Sequence, residues 1–97
     1  MEFSEPFKKD FTIYSKSGCP GCKQVKNFLK DKNFLFNEIN CDEYLINEKI
    51  AFLSFIEKIS GKSMKSFPIV FYNGKLVGGY MDTIDCVDKL MSFDNVF

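Results

Sequence analysis

Residues 11–22 read FTIYSKSGCPGC, and they carry the strongest signals for the fold of the chain. The β-branched and aromatic residues of 11–15 favour a strand, and the small residues after it end the strand. Pro20 suits the first turn of a following helix, because the N–H that proline lacks would have no partner there. The cysteine pair Cys19 and Cys22 therefore stands at a predicted turn from a strand into a helix.

Helical periodicity continues from this turn, and the helix is predicted from about Pro20 to Lys32. One face carries the apolar Val25, Phe28 and Leu29, while lysines occupy the other faces. Residues 34–40 favour a second strand, which completes a β-α-β unit. The crossover helix of such a unit makes its two strands parallel.

A second helix is predicted from Asp42, which can cap it, to about Ser60, with Gly61 as its stop signal. Its buried stripe is predicted to comprise Leu45, Ile46, Ile50, Leu53, Ile56 and Ile59, and Phe52 and Phe55 widen it.

The C-terminal part predicts a hairpin and a last helix. Asn73-Gly74 joins the apolar runs 69–72 and 75–77 and suits a type I′ turn, because both turn positions need positive φ. Asp82 is predicted to cap a helix whose inward face comprises Ile84, Val87, Leu90 and Met91. The order β-α-β-α-β-β-α predicts an α/β protein.

Length and composition predict one domain over residues 1–97, with an N-terminal extension at 1–10 and a short tail at 94–97. Thirteen basic and thirteen acidic residues balance, so neither a nucleic acid nor a membrane surface is an expected partner. No apolar stretch is long enough to span a bilayer, and the acidic start does not resemble a signal peptide. We expect a cytoplasmic protein.

The cysteines are the main candidates for chemistry, because the chain has no histidine. In a thiol-reducing compartment, a CxxC pair indicates either redox catalysis or metal binding. Zinc sites of this spacing need a second pair, whereas Cys41 and Cys86 are isolated, so no metal site is predicted and both are expected to be small apolar fillers.

The position of Cys19 favours a reactive thiolate. A helix start presents unpaired N–H groups and the positive end of the helix dipole, and both stabilise a negative sulfur. Cys22 lies one helical turn deeper and can close a disulfide with Cys19, which predicts Cys19 as the nucleophile and Cys22 as the resolving thiol.

The whole order of motifs resembles a dithiol glutaredoxin: strand, CPxC, helix, strand, helix, Phe-Pro hairpin, Gly-Gly-x-x-Asp and helix. The resemblance implies a thioredoxin-like fold with a four-stranded mixed sheet flanked by helices. It implies thiol–disulfide oxidoreductase activity with glutathione as cosubstrate and no permanently bound cofactor. Disulfide-containing or glutathionylated proteins would be the partners of a monomeric protein.

The resemblance also implies a glutathione-binding set. Lys16 would pair with a glutathione carboxylate, and Pro68 would be the cis proline whose preceding residue lines up with the cysteinyl part of glutathione. The γ-glutamyl end would be held by the Gly-Gly-x-x-Asp segment. The full set implied is Lys16, Lys65, Phe67, Pro68, Gly79, Met81 and Asp82.

Two departures from the family pattern keep alternatives open: Gly21 replaces the usual tyrosine of CPYC, and Met81 replaces a hydroxyl residue. One alternative is a thioredoxin-like electron donor, for instance to ribonucleotide reductase, recharged by a flavoprotein reductase. Another is an iron–sulfur binding module in which two chains and two glutathiones hold a cluster through Cys19.

Overall fold

The structure is a computed structural model that describes residues 2–95, with side chains described through residue 92. Of the predicted tail at 94–97, residues 94 and 95 close the last helix and residues 96 and 97 lie outside the described residues. The strands are β1 (Phe11–Ser15), β2 (Phe36–Asn40), β3 (Ile69–Tyr72) and β4 (Lys75–Gly78). The helices are α1 (Pro20–Asp31), α2 (Asp42–Asn47), α3 (Lys49–Ser60) and α4 (Tyr80–Asn95).

The strands form one mixed sheet in the order β2-β1-β3-β4. β1 pairs parallel with β2 and antiparallel with β3, and β3 pairs antiparallel with β4. The β-α-β unit, the hairpin and the four-stranded mixed sheet are therefore confirmed. β2 begins at Phe36, two positions later than predicted.

Both faces of the sheet are covered, because alternate residues of its central strands point to opposite sides. Tyr14 of β1 packs with Phe52 and Ile56 of α3 on one face. Ile13 packs on the other face with Val25 of α1 and Val87 of α4. Burial of each aliphatic side chain of this kind stabilises the fold by about 1.5–3 kcal/mol. Helices thus flank the sheet as predicted.

The predicted helix over 42–60 is wrong in one respect: it is two helices separated at Glu48. The backbone of Glu48 is not helical, with φ −146° and ψ 53°. The Glu48 N–H donates the last hydrogen bond of α2 to the Tyr44 carbonyl. The Glu48 carbonyl accepts the first hydrogen bond of α3 from the Phe52 N–H.

The break also corrects the predicted stripe. Ile46 and Ile50 are 81% and 83% exposed, whereas Phe52 and Ile56 are fully buried. A break resets the helical phase, so a spacing counted across Glu48 no longer identifies one face.

The last helix begins at Tyr80, so Asp82 is its third residue and not its N-cap. Val87 is fully buried as predicted, but Met91 is 39% exposed, because α4 covers the sheet with a narrower face than the apolar spacing suggests. No helix in the described part of the chain is long and apolar enough to cross a membrane.

The N-terminal extension packs against the core. The Phe3 ring lies 4.9 Å from the Tyr44 ring and 5.4 Å from the Phe52 ring, measured between centroids. The Tyr14 hydroxyl donates to the Ser4 carbonyl at 2.6 Å. Phe3 and Ser4 therefore pack on the α3 side of the sheet as part of the folded domain.

Candidate active site

The turn between β1 and α1 places the cysteine pair at a helix start. Gly18 has φ +69°, a left-handed conformation that glycine adopts without cost, and it redirects the chain after β1. Cys19 is the N-cap of α1, and its sulfur accepts a hydrogen bond from the Cys22 N–H at 3.1 Å. Cys19 and Cys22 form a disulfide, and their Cα atoms are 5.3 Å apart.

The two sulfurs differ in access. Cys22 is 3% exposed, whereas Cys19 is only partly buried. A bulky disulfide substrate can therefore reach Cys19 and not Cys22. The hydrogen bond from the Cys22 N–H and the dipole of α1 stabilise negative charge on Cys19 in the reduced protein.

A groove of about 610 Å³ runs past the disulfide, and it is lined by Lys16, Gly18, Cys19, Pro20, Cys22, Lys23 and Lys26. Its charged residues are all lysines, and the first turn of α1 consists of Pro20, Gly21 and Cys22, which carry no charge. The positive field along this groove favours a thiolate and attracts an anionic partner.

One of these lysines is held in place by a neighbouring strand. Lys26 pairs with Glu38 at 2.9 Å, and the Ser15 hydroxyl donates to the same carboxylate at 2.7 Å. The ammonium of Lys26, followed by the Ser15 hydroxyl, lowers the pKa of Glu38 below 4.5. This network ties α1 to β1 and β2, directly behind the cysteine turn.

Asp42 is a positioning residue that the sequence analysis missed. Its carboxylate accepts the Ser17 N–H at 2.8 Å and also the Ser17 hydroxyl, so the loop before Cys19 is tied to the start of α2. The Ser17 hydroxyl is the main cause of a lowered pKa at Asp42. The Asp42 N–H donates a hydrogen bond to the side-chain oxygen of Asn40 at 2.9 Å. The only sequence signal was that both loops follow parallel strands, whose carboxyl ends share one edge of the sheet.

The Phe67–Pro68 peptide bond is cis, which confirms the geometry implied by the family resemblance. Pro68 is buried against the start of α1. A Cβ atom built on Gly21 would lie 3.0 Å from the Pro68 Cδ atom, closer than carbon atoms normally approach. Gly21 thus lets the cysteine turn and the cis-proline loop meet without a side chain between them.

Three of the predicted glutathione contacts lie together. The Lys16 ammonium stands 5.5 Å from the centroid of the Phe67 ring. A second groove is lined by both residues and by Lys65, with Leu45, Lys49 and Leu53 completing it. Lys16 lines this groove and the disulfide groove, so it links Phe67 and Lys65 to Cys19.

The Gly-Gly-x-x-Asp segment approaches Pro68 through Gly79. A Cβ on Gly79 would be 3.9 Å from the Pro68 carbonyl oxygen, and the Asp82 carboxylate accepts the Gly79 N–H at 3.0 Å. Met81 is 69% exposed. Asp82 lines a separate groove between β4 and α4, and none of the lining residues of that groove belongs to the cysteine turn. A glutathione role for these residues stays a prediction.

The other two cysteines are apart from this site. Cys41 is fully buried, and burial raises the pKa of its thiol to about 12. Cys86 in α4 is partly buried, and burial raises the pKa of its thiol also. Both packing positions agree with the predicted filler role.

Comparison with known proteins identifies the family. A profile of the glutaredoxin family matches residues 11–77, which contain the cysteine turn, the cis-proline and the hairpin. The chain belongs to the glutaredoxin family. With its CxxC pair, it is a glutaredoxin-family thiol oxidoreductase.

Individual relatives and a solved structure agree with this assignment. Glutaredoxin 1 of Rickettsia typhi is 33% identical over 84 residues, covering 81% of this chain and 76% of the relative. The glutaredoxin-like protein NrdH of Lactococcus lactis subsp. cremoris is 36% identical over 59 residues, covering 61% and 71%. The crystal structure of Francisella tularensis glutaredoxin 1 superposes with a TM-score of 0.73 at 23% identity, covering 84% of this chain and 95% of that chain. The glutaredoxin form of the thioredoxin-like fold is thereby established.

Proposed function

We propose that this protein is a glutathione-dependent thiol–disulfide oxidoreductase that reduces protein disulfides and glutathione mixed disulfides. The observation that carries the proposal is the disulfide at the N-terminus of α1, with an accessible Cys19 and a buried Cys22. In the reduced protein, the Cys19 thiolate attacks the substrate disulfide and forms a mixed disulfide, and the first substrate thiol leaves.

The mixed disulfide can then be resolved in two ways. The Cys22 thiol can attack Cys19, which expels the second substrate thiol and closes the internal disulfide seen in the structure. Alternatively, a glutathione thiolate attacks a mixed disulfide between Cys19 and glutathione, and glutathione disulfide leaves. Glutathione acts as a cosubstrate in this scheme, and no cofactor is permanently bound.

The glutathione dependence rests on the predicted binding set. Lys16 and Lys65 supply ammonium groups for carboxylates, and Phe67 precedes the cis-Pro68 beside the cysteine turn. We assign the γ-glutamyl end to Gly79, Met81 and Asp82. We further propose that the chain acts as a single-domain monomer in the cytoplasm.

The test compares turnover of a glutathione mixed disulfide by the wild-type protein, Cys19→Ser and Cys22→Ser. Cys19→Ser should be inactive, because it has no attacking thiolate. Cys22→Ser should keep the reaction that needs one thiol and lose reduction of protein disulfides. Activity that survives in Cys19→Ser would refute the assignment of the nucleophile.

A thioredoxin-like electron donor is the second candidate, and two observations favour it. The Lactococcus relative is named glutaredoxin-like protein NrdH and not glutaredoxin. In addition, Gly21 stands where the glutaredoxin pattern has tyrosine. Such a donor would be recharged by a flavoprotein reductase. Reduction of the Cys19–Cys22 disulfide by thioredoxin reductase, together with failure of free glutathione to reduce it, would decide for this candidate.

A further inference from the structure

The second groove beside the disulfide has a composition that the redox step alone does not explain. It has a volume of about 350 Å³ and is lined by Lys16, Leu45, Lys49, Leu53, Lys65 and Phe67. We call it the lysine-rimmed groove. Leu45, Lys49 and Leu53 belong to α2 and α3 and have no part in the predicted glutathione set. Through Lys16, the groove continues into the groove that holds Cys19.

Lys49 stands at a position that does not stabilise its own helix. It is the first residue of α3, whose first turn reads Lys49, Ile50 and Ala51. The N-terminus of a helix carries partial positive charge and favours carboxylates, so a lysine there is electrostatically unfavourable. Helix stability therefore does not account for this ammonium group at the mouth of the groove.

The three lysines of the groove make a local positive charge on a chain that is neutral overall, with thirteen basic and thirteen acidic residues. Among the residues that the structure describes, the ion pair that forms is Lys26 with Glu38, and none involves Lys16, Lys49 or Lys65. Lys16 also interacts electrostatically with the Asp42 carboxylate, whereas Lys49 and Lys65 are open to an external anion.

The floor of the groove is apolar. Leu45, Leu53 and Phe67 are partly buried, and their inner sides pack against the core on the α3 side of the sheet. An apolar floor within a rim of charged side chains is typical of a surface that binds a protein.

We propose that the lysine-rimmed groove binds an acidic and apolar segment of the protein whose disulfide is reduced. This proposal rests on the proposed oxidoreductase function and names its substrate class. Carboxylates of the segment would pair with Lys16, Lys49 and Lys65, while aliphatic side chains cover Leu45 and Leu53. A nucleic acid would satisfy the lysines but would leave the leucine floor without an apolar partner.

The groove would act before the chemical step. A segment held there places the neighbouring disulfide of the same protein against Cys19. The Cys19 thiolate then bonds to one substrate sulfur and the other leaves as a thiol, after which Cys22 displaces the second. The substrate disulfide gains two electrons and two protons, and the dithiol is oxidised to the Cys19–Cys22 disulfide.

The test uses the full chain, reduced with dithiothreitol and freed from it, in single-turnover reactions without glutathione. The substrates are disulfide peptides of one design. One carries Glu and Leu beside its disulfide, a second has Gln for Glu, and a third has Ser for Leu. At low salt, we expect wild-type protein to reduce the Glu-Leu peptide about 3- to 10-fold faster than either of the others. The preference for Glu over Gln should shrink at high salt.

The matched variants are Lys49→Glu and Lys58→Glu. Both lysines are exposed on α3, but Lys58 lies about two and a half turns further along, on the opposite side of the helix from the groove. Lys49→Glu should remove the preference for the Glu-Leu peptide, and Lys58→Glu should keep it. Both should reduce a small neutral disulfide at the wild-type rate.

The outcomes separate this proposal from the proposed function. Equal rates on all three peptides, or equal effects of the two variants, would overturn the groove and leave the oxidoreductase intact. The groove would also be overturned if Lys49→Glu slowed the reduction of a small glutathione mixed disulfide as much as that of the Glu-Leu peptide, because Lys49 would then bind glutathione. Failure of wild-type protein to reduce any peptide would overturn the oxidoreductase itself.

Discussion

Two corners of this fold are built alike and behave differently. At the first corner β1 leads into α1, and at the second β2 leads into α2, at the same edge of the sheet. Each helix has a cysteine as its N-cap, Cys19 in the first corner and Cys41 in the second. The position at a helix start is therefore shared, and it does not by itself make a reactive thiol.

The surroundings of the two sulfurs account for the difference. Cys19 is partly exposed, accepts the Cys22 N–H and faces a groove whose charged residues are lysines. Cys41 is fully buried, and its thiol instead donates to the Ile39 carbonyl at 3.5 Å. The first turn after Cys41 carries Asp42 and Glu43. Burial and nearby carboxylates oppose a thiolate, whereas N–H donors and lysines favour one.

The largest expected effect is on thiol reactivity. With a pKa of about 12, the thiolate fraction of Cys41 at about pH 7 is on the order of 10⁻⁵, roughly 10³-fold below that of an ordinary cysteine. Because a raised pKa keeps the thiol protonated, this fraction should rise about tenfold for each pH unit up to the pKa. Iodoacetamide labelling of the reduced protein, followed by peptide mass spectrometry, should modify Cys19 first and leave Cys41 unmodified. Comparable labelling of both in the folded protein would remove the contrast between the corners.

The next largest effect is on packing at the second residues of α1 and α2, which are Gly21 and Glu43. Gly21→Ala places a methyl group against buried Pro68, where the Cβ would lie 3.0 Å from Cδ. Overpacking costs about 1–3 kcal/mol and the better helix propensity of alanine returns about 0.5–1 kcal/mol, so we expect a net loss of up to about 2.5 kcal/mol. The matched change Glu43→Ala, at an exposed position, should cost about 0.5 kcal/mol or less.

Urea unfolding of the two variants beside the wild-type protein measures this difference. A Gly21→Ala protein that is more stable than the wild type would show that the cis-proline loop yields to the methyl group. The close contact would then not explain why glycine stands in this corner.

The smallest expected effect comes from the network that joins the corners. The pKa of Glu38 is lowered by Lys26 and Ser15, so its contribution to stability is fully present above about pH 4.5 and is lost as pH falls through the lowered value. The pair is partly exposed, with side chains 28% and 35% accessible, so this contribution should be below about 1 kcal/mol. Glu38→Gln should have a lower free energy of unfolding at neutral pH, and its free energy of unfolding should fall less steeply below about pH 4.5 than that of the wild type. An unchanged acid limb in urea titrations would mean that other carboxylates dominate it.

The sequence predicted the local elements well, because their signals are local. The β-branched and aromatic residues of β1, the Asn73-Gly74 turn and the helical spacing after Pro20 are all signals from residues that are neighbours along the chain. The resemblance added the cis-proline at Pro68, which an X-Pro dipeptide alone does not reveal.

The errors arose where packing overrides a local pattern. The spacing of Ile46 and Ile50 fits a buried stripe only if the helix is continuous, and the break at Glu48 removes that condition. Asp42 looked like a helix cap, but its carboxylate serves Ser17 in a loop 25 residues earlier. Hydrogen bonds of this separation exist only once the strands have paired.

The chemistry could be predicted from the local pattern alone, which is two cysteines at helical spacing after a strand, with a proline that starts the helix. Its physical basis is short-range, since the helix start supplies the N–H donors and the dipole. Tertiary structure alone decided which cysteine N-cap is accessible, that Gly21 meets Pro68, and that lysines from three separate segments surround one apolar groove. Burial, close contact and summed charge depend on distances in space, which spacing along the chain does not specify.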